Sequence, residues 1–467
     1  MEIKNNIFVN KEIIDKQKDI TLKIFEREDK PKKYHIITFG CQMNVNDSQK
    51  LAYMLDNMGI EECKDKESAD LVIFNTCCVR ENAERRALGN IMWLKELKKT
   101  KPNLIIAVCG CMVQQKSMLD TILKQYKFID IVFGTHNFHM FPELLYNYLD
   151  NKKKILAIND EHVIAEGLGS KRDIPHHAFV SIMYGCNNFC TFCIVPYVRG
   201  RERSRKIDDI LFDVDNLLKS GVQEIMLLGQ NVNSYGKGNE DGINFPKLLK
   251  ILDSEGVPRI RFMTSHPKDL SDELIEVIAN SSHIAKHIHL PVQSGSSKIL
   301  KAMNRIYNRD EYISLVEKIR KNIDGVGLTT DIIVGFPGET EEDFQETLSL
   351  AETIKYDSAF TFVYSKRIGT KAANMPNLPE KSISMERLQR LNKIIVKYSH
   401  QVLHEQVGNN EVVLIDGLSE KNPSYVYGRT SRNIKVFMDG TKEDIGKFYN
   451  ININNIVNNT LYAKKIF

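Results

Sequence analysis

Short apolar runs alternate with longer amphipathic stretches between residues 34 and 150. The apolar runs cover 34–39, 71–74 and 104–108, and stretches of helical periodicity cover 48–58 and 83–99. Short buried strands that alternate with helices are typical of a parallel sheet with helices packed on its faces. The pattern therefore predicts a small α/β domain with a parallel sheet over 34–150, preceded by an N-terminal extension over 1–33.

The same alternation resumes after a polar, glycine-containing connection at 151–177, which we interpret as a linker. The strand-like runs that follow are 179–184, 224–229, 259–264, 287–291, 328–334 and 359–364. Amphipathic helices follow these runs, so 178–406 contains six strand–helix units, against eight in a complete β/α barrel. We therefore predict an incomplete (β/α)6 barrel with a lateral opening and an active site at the carboxyl ends of its strands.

A helical segment at 385–406 leads into a region of short strands and frequent turns, 407–467. The strand signals lie at 412–415, 425–428, 434–438 and 460–464. This pattern predicts a small antiparallel β-barrel. Barrels of this kind bind oligonucleotides in some proteins and are structural modules in others, and the pattern alone is compatible with both.

Composition limits the choice of compartment and partner. The chain has 467 residues, enough for about three domains, and its net charge of +4 permits a nucleic-acid partner without requiring one. No stretch approaches the ~18–20 continuous apolar residues of a membrane span, and the first residues lack the apolar segment of a signal peptide. We therefore expect a cytoplasmic protein without a membrane partner. Its nine cysteines should be metal ligands, reactive thiols or core residues rather than disulfides.

Three of these cysteines, Cys186, Cys190 and Cys193, have the spacing C-x3-C-x2-C, with no cysteine after them. A ferredoxin-type cluster uses four cysteines, whereas three thiolates leave one iron of a four-iron cluster open to a small molecule. A structural zinc site needs four nitrogen or sulfur ligands, and only His176 and His177 lie close by in the sequence. The spacing therefore favours an open iron–sulfur cluster over zinc or core cysteines.

The other candidate ligands follow the three apolar runs of the first domain, at Cys41, Cys77, Cys78, Cys109 and Cys111. Because the carboxyl ends of parallel strands share one edge, we expect the thiols to converge there. Cys109 continues an apolar run, which favours Cys111 as the ligand, and periodicity does not decide between Cys77 and Cys78. The interpretation is a second three-ligand cluster site, with buried structural thiols as the alternative.

The segment GCNNFCTFC at 185–193 resembles the signature of the radical S-adenosyl-L-methionine (SAM) superfamily. Further segments resemble the MiaB-type tRNA methylthiotransferases: TFGCQMN at 38–44, NTC at 75–77, GCM at 110–112, MYGC at 183–186, VPYVRGR at 195–201, HLPVQSGS at 289–296 and DIIVGFPGET at 331–340. The last 60 residues resemble the TRAM domain, an RNA-binding module. The resemblance covers nearly everything after residue 33.

The resemblance implies two 4Fe-4S clusters, one held by Cys186, Cys190 and Cys193 and an auxiliary one held by Cys41, Cys77 and Cys111. An electron-donating reductase would reduce the first cluster, which cleaves SAM to a radical that removes the hydrogen from carbon 2 of adenine. The auxiliary cluster would deliver sulfur, and a second SAM the methyl group. The implied product is 2-methylthio-N6-isopentenyladenosine at position 37, in the anticodon loop of tRNA.

Contacts with SAM and RNA are predicted at the ends of strands and after the cysteine loop. The expected SAM contacts are Phe192 near the adenine, as the resemblance implies, and Gln230, Asn231, Gln293 and Ser294 at strand ends. The expected phosphate contacts are Arg199, Arg201, Arg203 and Arg205. Hydrogen-bonded structural groups and a solvated charged face are the respective alternatives.

Two other functions stay open at the level of sequence. Related enzymes perform the same chemistry on threonylcarbamoyladenosine in tRNA or on an aspartate of a ribosomal protein. Gln42, Met43 and the stretch 189–193, which runs into 197–200, resemble the isopentenyladenosine group more. A non-catalytic RNA-binding protein with structural metals is the alternative of a different class, and cleavage of SAM would exclude it. We expect the protein to be a monomer.

Overall fold

In the computed structural model of the chain, residues 7–79, 81–159 and 161–466 are described, without the side chains of 81–83. Residues 1–6 of the predicted extension lie outside the described residues. An α/β region with a parallel sheet, an incomplete barrel and a small closed β-barrel follow one another, which confirms the predicted fold class. No helix in the described ranges is both long and apolar enough to cross a membrane.

The first domain is a parallel sheet with helices packed against it. Its elements are β1 (Ile7–Phe8), α1 (Lys11–Phe25), β2 (Lys33–Thr38), α2 (Gln42–Asn57), β3 (Glu61–Glu62), β4 (Leu71–Thr76), α3 (Glu81–Thr100), β5 (Ile105–Gly110), α4 (Lys116–Gln125), β6 (Ile131–Phe133), a 3-10 turn (Phe138–Met140), α5 (Phe141–Asn151), β7 (Ile155–Ala157) and β8 (Val163–Ile164). The sheet order is β3-β2-β4-β5-β6-β7. Every residue of β4 and β5 is buried, as expected for central strands covered on both faces. The sheet continues into β7, beyond the boundary expected at 150.

The described part of the predicted extension packs against this domain. Asn10 caps α1 by accepting a backbone hydrogen bond from its first turn. Ile20 and Ile24 are buried in the core below the helix, and Gln17 donates to Glu143 at the start of α5. β1 pairs in parallel with β8, which lies within the predicted linker. The extension and the linker therefore contribute to the first domain rather than standing apart from it.

The central domain is an open barrel. Its elements are β9 (His177–Ser181), β10 (Met183–Tyr184), α6 (Val195–Val198), β11 (Arg203–Ser204), α7 (Ile207–Lys219), β12 (Glu224–Leu228), a 3-10 turn (Val232–Ser234), α8 (Phe245–Ser254), β13 (Arg259–Phe262), a 3-10 turn (Pro267–Asp269), α9 (Asp272–Asn280), β14 (His287–His289), α10 (Ser297–Ala302), α11 (Arg309–Asn322), β15 (Gly327–Val334), α12 (Glu341–Ile354), β16 (Ser358–Val363), a 3-10 turn (Lys371–Asn374) and α13 (Lys381–His404). Parallel strands form the orders β9-β12-β13 and β14-β15-β16, joined through a bridge between Ile260 and Ile284. Among the described strands, β9 and β16 each have one parallel neighbour, so the barrel is open between them.

The C-terminal domain is a closed five-stranded barrel in the order β17-β18-β19-β21-β20. Its elements are β17 (Asn410–Leu418), β18 (Tyr425–Thr430), β19 (Lys435–Asp439), a 3-10 turn (Lys442–Asp444), β20 (Phe448–Val457) and β21 (Thr460–Lys465). The predicted small β-barrel is confirmed, and one strand pair departs from the antiparallel arrangement, because β19 and β21 pair in parallel to close the barrel. Strand β20 escaped prediction because it is rich in asparagine. The turn between β20 and β21 consists of Asn458 and Asn459, both with positive φ, as in tight hairpin turns.

The small barrel docks on the amino-terminal ends of the central barrel strands. Arg261 donates to the carbonyl of Thr430 and to Glu224, and His177 donates from Nε2 to Asp416 at 2.8 Å. These groups are buried or largely buried, and buried charges are stable only when they are paired. The interface therefore closes the lower end of the barrel and leaves the carboxyl ends of its strands free for chemistry.

The histidine in this interface should make stability depend on pH. Although burial alone lowers its pKa, hydrogen bonds to Asp416 and Glu224 raise the pKa of His177 to about 9. A histidine with a raised folded-state pKa stabilises the protein fully below its unfolded pKa, near 6.5, and that contribution disappears as pH rises through about 9. We therefore expect His177→Gln to lower the free energy of unfolding by up to about 3 kcal/mol at pH 6 and by much less at pH 10.

Urea unfolding of both proteins at the two pH values measures this difference, and groups common to both proteins cancel. His283→Gln is the matched control, because it removes a histidine–aspartate pair whose histidine is twice as exposed. A loss for His177→Gln that is equal at both pH values would contradict the assignment.

Candidate active site

The barrel triad, Cys186, Cys190 and Cys193, lies on a loop held between two paired strands. β10 enters the loop and β11 leaves it, and the two strands pair antiparallel. The Cys186 amide donates to the carbonyl of Gly200, which fixes the start of the loop. Gly185 has φ +73°, and a Cβ there would lie 2.1 Å from the carbonyl oxygen of Arg201, so only glycine fits. The loop stands at the carboxyl end of the first barrel strand, as predicted.

Groups from the region around α10 hold this loop from the other side. Asn304 Nδ2 donates to the carbonyls of Asn188 and Phe189, each at 3.1 Å. Phe189 has φ +46°, a region that side chains other than glycine rarely adopt and that is retained mainly at functional sites. Arg305, which is buried, donates from Nη1 to the Cys190 sulfur at 3.6 Å. Sequence reasoning missed Asn304 and Arg305, because they follow the triad by more than one hundred residues.

The chemistry of the barrel triad fits a metal cluster. Burial raises the pKa of Cys186 to about 11 and raises that of Cys193 further. A raised pKa means that the free thiols are neutral, and ligation of a metal would deprotonate them and offset the cost of burying the resulting thiolates. The neighbouring Cys190 and Cys186 thiols add to the rise in the pKa of Cys193, as expected for three thiols carried on one short loop.

The first-domain triad, Cys41, Cys77 and Cys111, follows three adjacent strands. Parallel pairing puts Thr38 beside Asn75 and Thr76 beside Gly110, so the strand ends are level. The three cysteines follow β2, β4 and β5 within three residues of each strand end. The predicted convergence at one sheet edge is therefore present in the structure.

Asn44, on the first turn of α2, ties this edge together. Its Nδ2 donates to the carbonyls of Phe39 and Thr76, at the ends of β2 and β4. Its Oδ1 lies 4.0 Å from the Cys41 sulfur and 3.9 Å from the Cys111 sulfur. Two of the three sulfurs therefore lie beside one buried amide, and Cys41 keeps an exposed side.

The two remaining cysteines of this domain differ from the triad in their surroundings. Cys109 lies within β5 and is enclosed in the apolar core. Cys78 is also fully buried, and its thiol donates to Cys111. The hydrogen bond from Cys78, with the neighbouring Arg199 guanidinium, lowers the pKa of Cys111 to about 6 despite its burial. The surroundings of Cys111 therefore favour its thiolate form, which is the form that ligates metals.

Three of the four arginines predicted to contact phosphates are buried. Arg199 donates to the Cys111 sulfur at 3.3 Å and to Asn44 and Asp47, each at 2.7 Å. The other two pair with internal groups, Arg203 with the carbonyls of 199 and 201, and Arg205 with Glu166 and Asp213. The sequence pattern could not show this, because burial depends on the first domain packing against this segment. In this structure only Arg201 of the four is exposed.

One short segment links the two triads. Cys193 belongs to the barrel triad, and Arg199, six residues later, touches a sulfur of the first-domain triad. Between them, Ile194 and Val198 are buried in the core of the first domain together with Cys111. Six residues span at most about 20 Å, and less where they are helical. The two candidate cluster sites therefore open on the same region.

The residues predicted to contact SAM lie at the carboxyl ends of strands, as expected, but their surroundings differ. Ser294 is fully buried, and its hydroxyl group forms a hydrogen bond with that of Thr347 on α12, so it has a structural role. Gln293 has φ +73° and exchanges backbone hydrogen bonds with β15. Phe192 is half-buried and packs against a small apolar cluster near Ile333. Gln230 is half-exposed at the end of the second parallel strand.

Buried polar atoms without a partner gather at the same edge. Among the described residues, Asn231 Oδ1, both side-chain polar atoms of Asn233, Ser265 Oγ and Glu202 Oε1 have no hydrogen-bond partner. Buried polar groups are nearly always satisfied, so a group of exceptions needs an explanation. SAM carries an amino group, a carboxylate and ribose hydroxyls, which could supply these partners. The site lined by these unpartnered atoms therefore fits SAM beside the barrel triad.

Further polar residues face the inside of the barrel. His289 Nε2 lies 3.6 Å from Asp331, and its ring lies 6.2 Å from that of Phe360, which is half-exposed at the lateral opening. Gln42, beside Cys41, reaches Met263 of the barrel. The first domain thus covers part of the barrel mouth. Sequence reasoning missed His289 and Asp331 as individual site residues, although both lie in segments that it singled out.

Comparison with known families divides the chain in the same way. Residues 33–134 match uncharacterized protein family UPF0004, 180–351 match the radical SAM superfamily, and 404–466 match the TRAM domain. Among solved structures, a radical S-adenosylmethionine methyltransferase from Kitasatospora setae, TsrM, superposes with a TM-score of 0.53. The match covers 73% of this chain and 74% of that chain at 12% identity, so it supports the fold alone.

Much closer relatives share nearly the whole length. A protein of Caldicellulosiruptor saccharolyticus is 50% identical over 457 residues, 97% of each chain. A protein of Thermoanaerobacter pseudethanolicus is 51% identical over 452 residues, 96% of each chain. A protein of Clostridium tetani is 50% identical over 435 residues, 93% of this chain and 96% of that protein. All three are named tRNA-2-methylthio-N(6)-dimethylallyladenosine synthase.

The different surroundings of Arg199 and Arg201 can be tested with one pair of variants. Arg199→Met leaves the buried Asp47 carboxylate without its ion pair, so we expect the free energy of unfolding to fall by about 3–5 kcal/mol. Arg201→Met removes an exposed side chain and should change that free energy by no more than about 0.5 kcal/mol. Urea unfolding of the reduced, metal-free proteins measures both. Equal losses would contradict the buried role of Arg199.

Proposed function

This chain belongs to the family of tRNA-2-methylthio-N(6)-dimethylallyladenosine synthases, and we propose that it converts N6-isopentenyladenosine at position 37 of tRNA into its 2-methylthio derivative. The observation that carries the proposal is the pair of three-cysteine sites joined by the segment 193–199. Two sites that open on one region can act on the same substrate carbon. The names of the relatives favour isopentenyladenosine over threonylcarbamoyladenosine or a protein aspartate as substrate.

We infer two 4Fe-4S clusters, one on the barrel triad (Cys186, Cys190 and Cys193) and one on the first-domain triad (Cys41, Cys77 and Cys111). When bound, they supply an electron that cleaves SAM to a hydrogen-abstracting radical and the sulfur that replaces the hydrogen at carbon 2. The proposal uses two SAM molecules per turnover and an electron-donating reductase as partner. The free thiols accord with a reducing cytoplasm, and a monomer contains both sites complete.

The residues of the chain would bind and orient the reactants. The unpartnered polar atoms of Asn231, Asn233 and Ser265 would hold SAM at the barrel mouth. Arg199 would donate to the Cys111 sulfur and keep the first domain closed against the barrel. The lateral opening near His289 and Phe360 would admit an adenine that has left the base stack of a single-stranded loop. Enclosure by both domains would keep water away from the reacting carbon.

The small barrel offers a surface suited to RNA. Its outward-facing side on β18, β19 and β21 carries half-exposed aromatic rings: Tyr425, Tyr427, Phe437 and Tyr462. Lys435 lies 3.8 Å above the centre of the Tyr427 ring, and Arg429 is exposed on the same face. Aromatic rings beside cations bind single-stranded nucleic acid by stacking and phosphate attraction. We call these residues the aromatic face of the small barrel.

The two triads should be separable by mutation. The reconstituted wild-type protein should hold about eight irons, and each single Cys→Ala variant within a triad should lose up to about half of them. Cys186→Ala should abolish formation of 5′-deoxyadenosine from SAM. Cys111→Ala should still form it but yield no methylthio nucleoside, because the two triads are assigned to different steps. Chromatography of both products from one reaction makes the measurement.

The matched control for this experiment is Cys109→Ala, which removes a buried thiol outside both triads and should affect only stability. Full methylthio product from Cys111→Ala would refute the role of the first domain. A protein that binds zinc, contains no sulfide and leaves SAM intact would instead be the non-catalytic RNA-binding protein.

The aromatic face should contribute to RNA affinity without taking part in SAM cleavage. Replacing Tyr427 and Phe437 together by Ala should weaken binding of the tRNA substrate about tenfold or more, because each stacked base contributes about 1–3 kcal/mol. Formation of 5′-deoxyadenosine in the absence of RNA should not change, because the face lies on a different domain from both triads. Filter binding and chromatography measure the two effects, and unchanged tRNA affinity would exclude this surface. Phe212→Ala, an exposed aromatic residue on α7, is the control.

A further inference from the structure

Three side chains form an exposed cluster beside the cysteine loop. The Arg201 guanidinium lies 4.3 Å from the centre of the Phe189 ring, and the Tyr197 ring meets Phe189 edge to face at 6.2 Å. Tyr197 is 48% exposed, so its ring is available to a ligand. We call Phe189, Tyr197 and Arg201 the rim cluster.

The backbone around the rim cluster is held rigidly. Phe189 keeps its positive φ because Asn304 holds its carbonyl group, and the strand pair β10–β11 fixes the start and end of the loop. Arg203 donates to the carbonyl of Arg201 at 2.8 Å. A surface held in this way loses little entropy when it binds a ligand. The strained aromatic residue would be costly to retain if the ring only covered the loop.

The position of the rim cluster limits what it can bind. Tyr197 lies on α6, within the segment that joins the barrel triad to the first-domain triad, and on its exposed side. The buried side of that segment packs into the first domain through Ile194 and Val198. An RNA loop that presents an adenine to both triads would lie next to the segment that carries this surface. The neighbours of that adenine are bases with flat faces and phosphates with negative charge.

From this juxtaposition we propose that the rim cluster is a binding subsite for a nucleobase that flanks the target adenosine. The base stacks on Tyr197 or Phe189, and Arg201 binds the adjoining phosphate or stacks on the same base. Aromatic rings and guanidinium groups recognise unstacked RNA bases in this way. The subsite holds the loop open while the target adenosine occupies the barrel. This inference rests on the proposed function, since it requires an RNA substrate at this site.

The test uses the full-length holoenzyme and a short anticodon stem-loop RNA with N6-isopentenyladenosine as target. Two further RNAs lack the base on the 5′ or on the 3′ side of that target. Tyr197→Ala and Tyr197→Leu should each bind the intact RNA roughly tenfold more weakly, whereas Tyr197→Phe should bind like the wild type. Leucine fills the volume without an aromatic face, so it separates stacking from packing. Phe212→Ala is the control for an exposed aromatic residue elsewhere.

The RNAs that lack a base identify the contact. The wild type should bind one of these two RNAs roughly tenfold more weakly than it binds the intact RNA. Tyr197→Leu should bind that same RNA as tightly as the wild type does, because the stacking partner is already absent. If the loss from the missing base and the loss from Tyr197→Leu multiply for both RNAs, the subsite is overturned. It is also overturned if Tyr197→Leu binds the intact RNA with unchanged affinity. Methylthiolation of the intact RNA by the wild type is followed separately. Its absence would overturn the proposed function, whereas product formation with unchanged affinity of Tyr197→Leu would overturn only this inference.

Discussion

The buried Arg199 guanidinium is the contact on which the arrangement of the active site depends. A buried charge is stable only when it is paired and hydrogen-bonded, and the partners of Arg199 all belong to the first domain: Asn44, Asp47 and the Cys111 sulfur. The arginine itself belongs to the barrel. Opening of the domains would expose Ile194 and Val198, which pack in the first-domain core, and loss of Arg199 would leave Asp47 buried and unpaired, so the closed arrangement is favoured. The two cysteine triads therefore face a common region.

The polarity of the strands accounts for the rest of the arrangement. Both parallel assemblies present the carboxyl ends of their strands towards this region, where loops can carry cysteines and polar side chains. The opposite end of the central barrel begins with charged residues, among them His177, Glu224, Arg259 and Arg261. The small β-barrel covers them and satisfies their hydrogen bonds. Stability is thus provided at one end of the barrel and chemistry at the other.

Several departures from ordinary backbone and hydrogen-bonding rules lie at the chemical end. The positive φ of Phe189 and Gln293 and the unpartnered atoms of Asn231 and Ser265 all lie around the barrel mouth. Such features persist where the surrounding structure enforces them and a ligand later satisfies them. The same reasoning distinguishes Arg201 from its buried neighbours, because its exposed position is maintained by Arg203. The barrel mouth is therefore preorganised for ligand binding.

The sequence by itself determined the fold class and predicted the two cysteine triads, with Cys111 rather than Cys109 as a ligand. These features follow from local periodicity and from the rule that parallel strands end at one edge, which need no knowledge of domain packing. Tertiary structure alone decided the role of the arginines after the cysteine loop. Arg199, Arg201, Arg203 and Arg205 alternate along the sequence, yet burial separates the second from the other three. The reason is physical: whether a guanidinium pairs with a distant carboxylate or faces water depends on the surface that packs against it, and no local pattern encodes that surface.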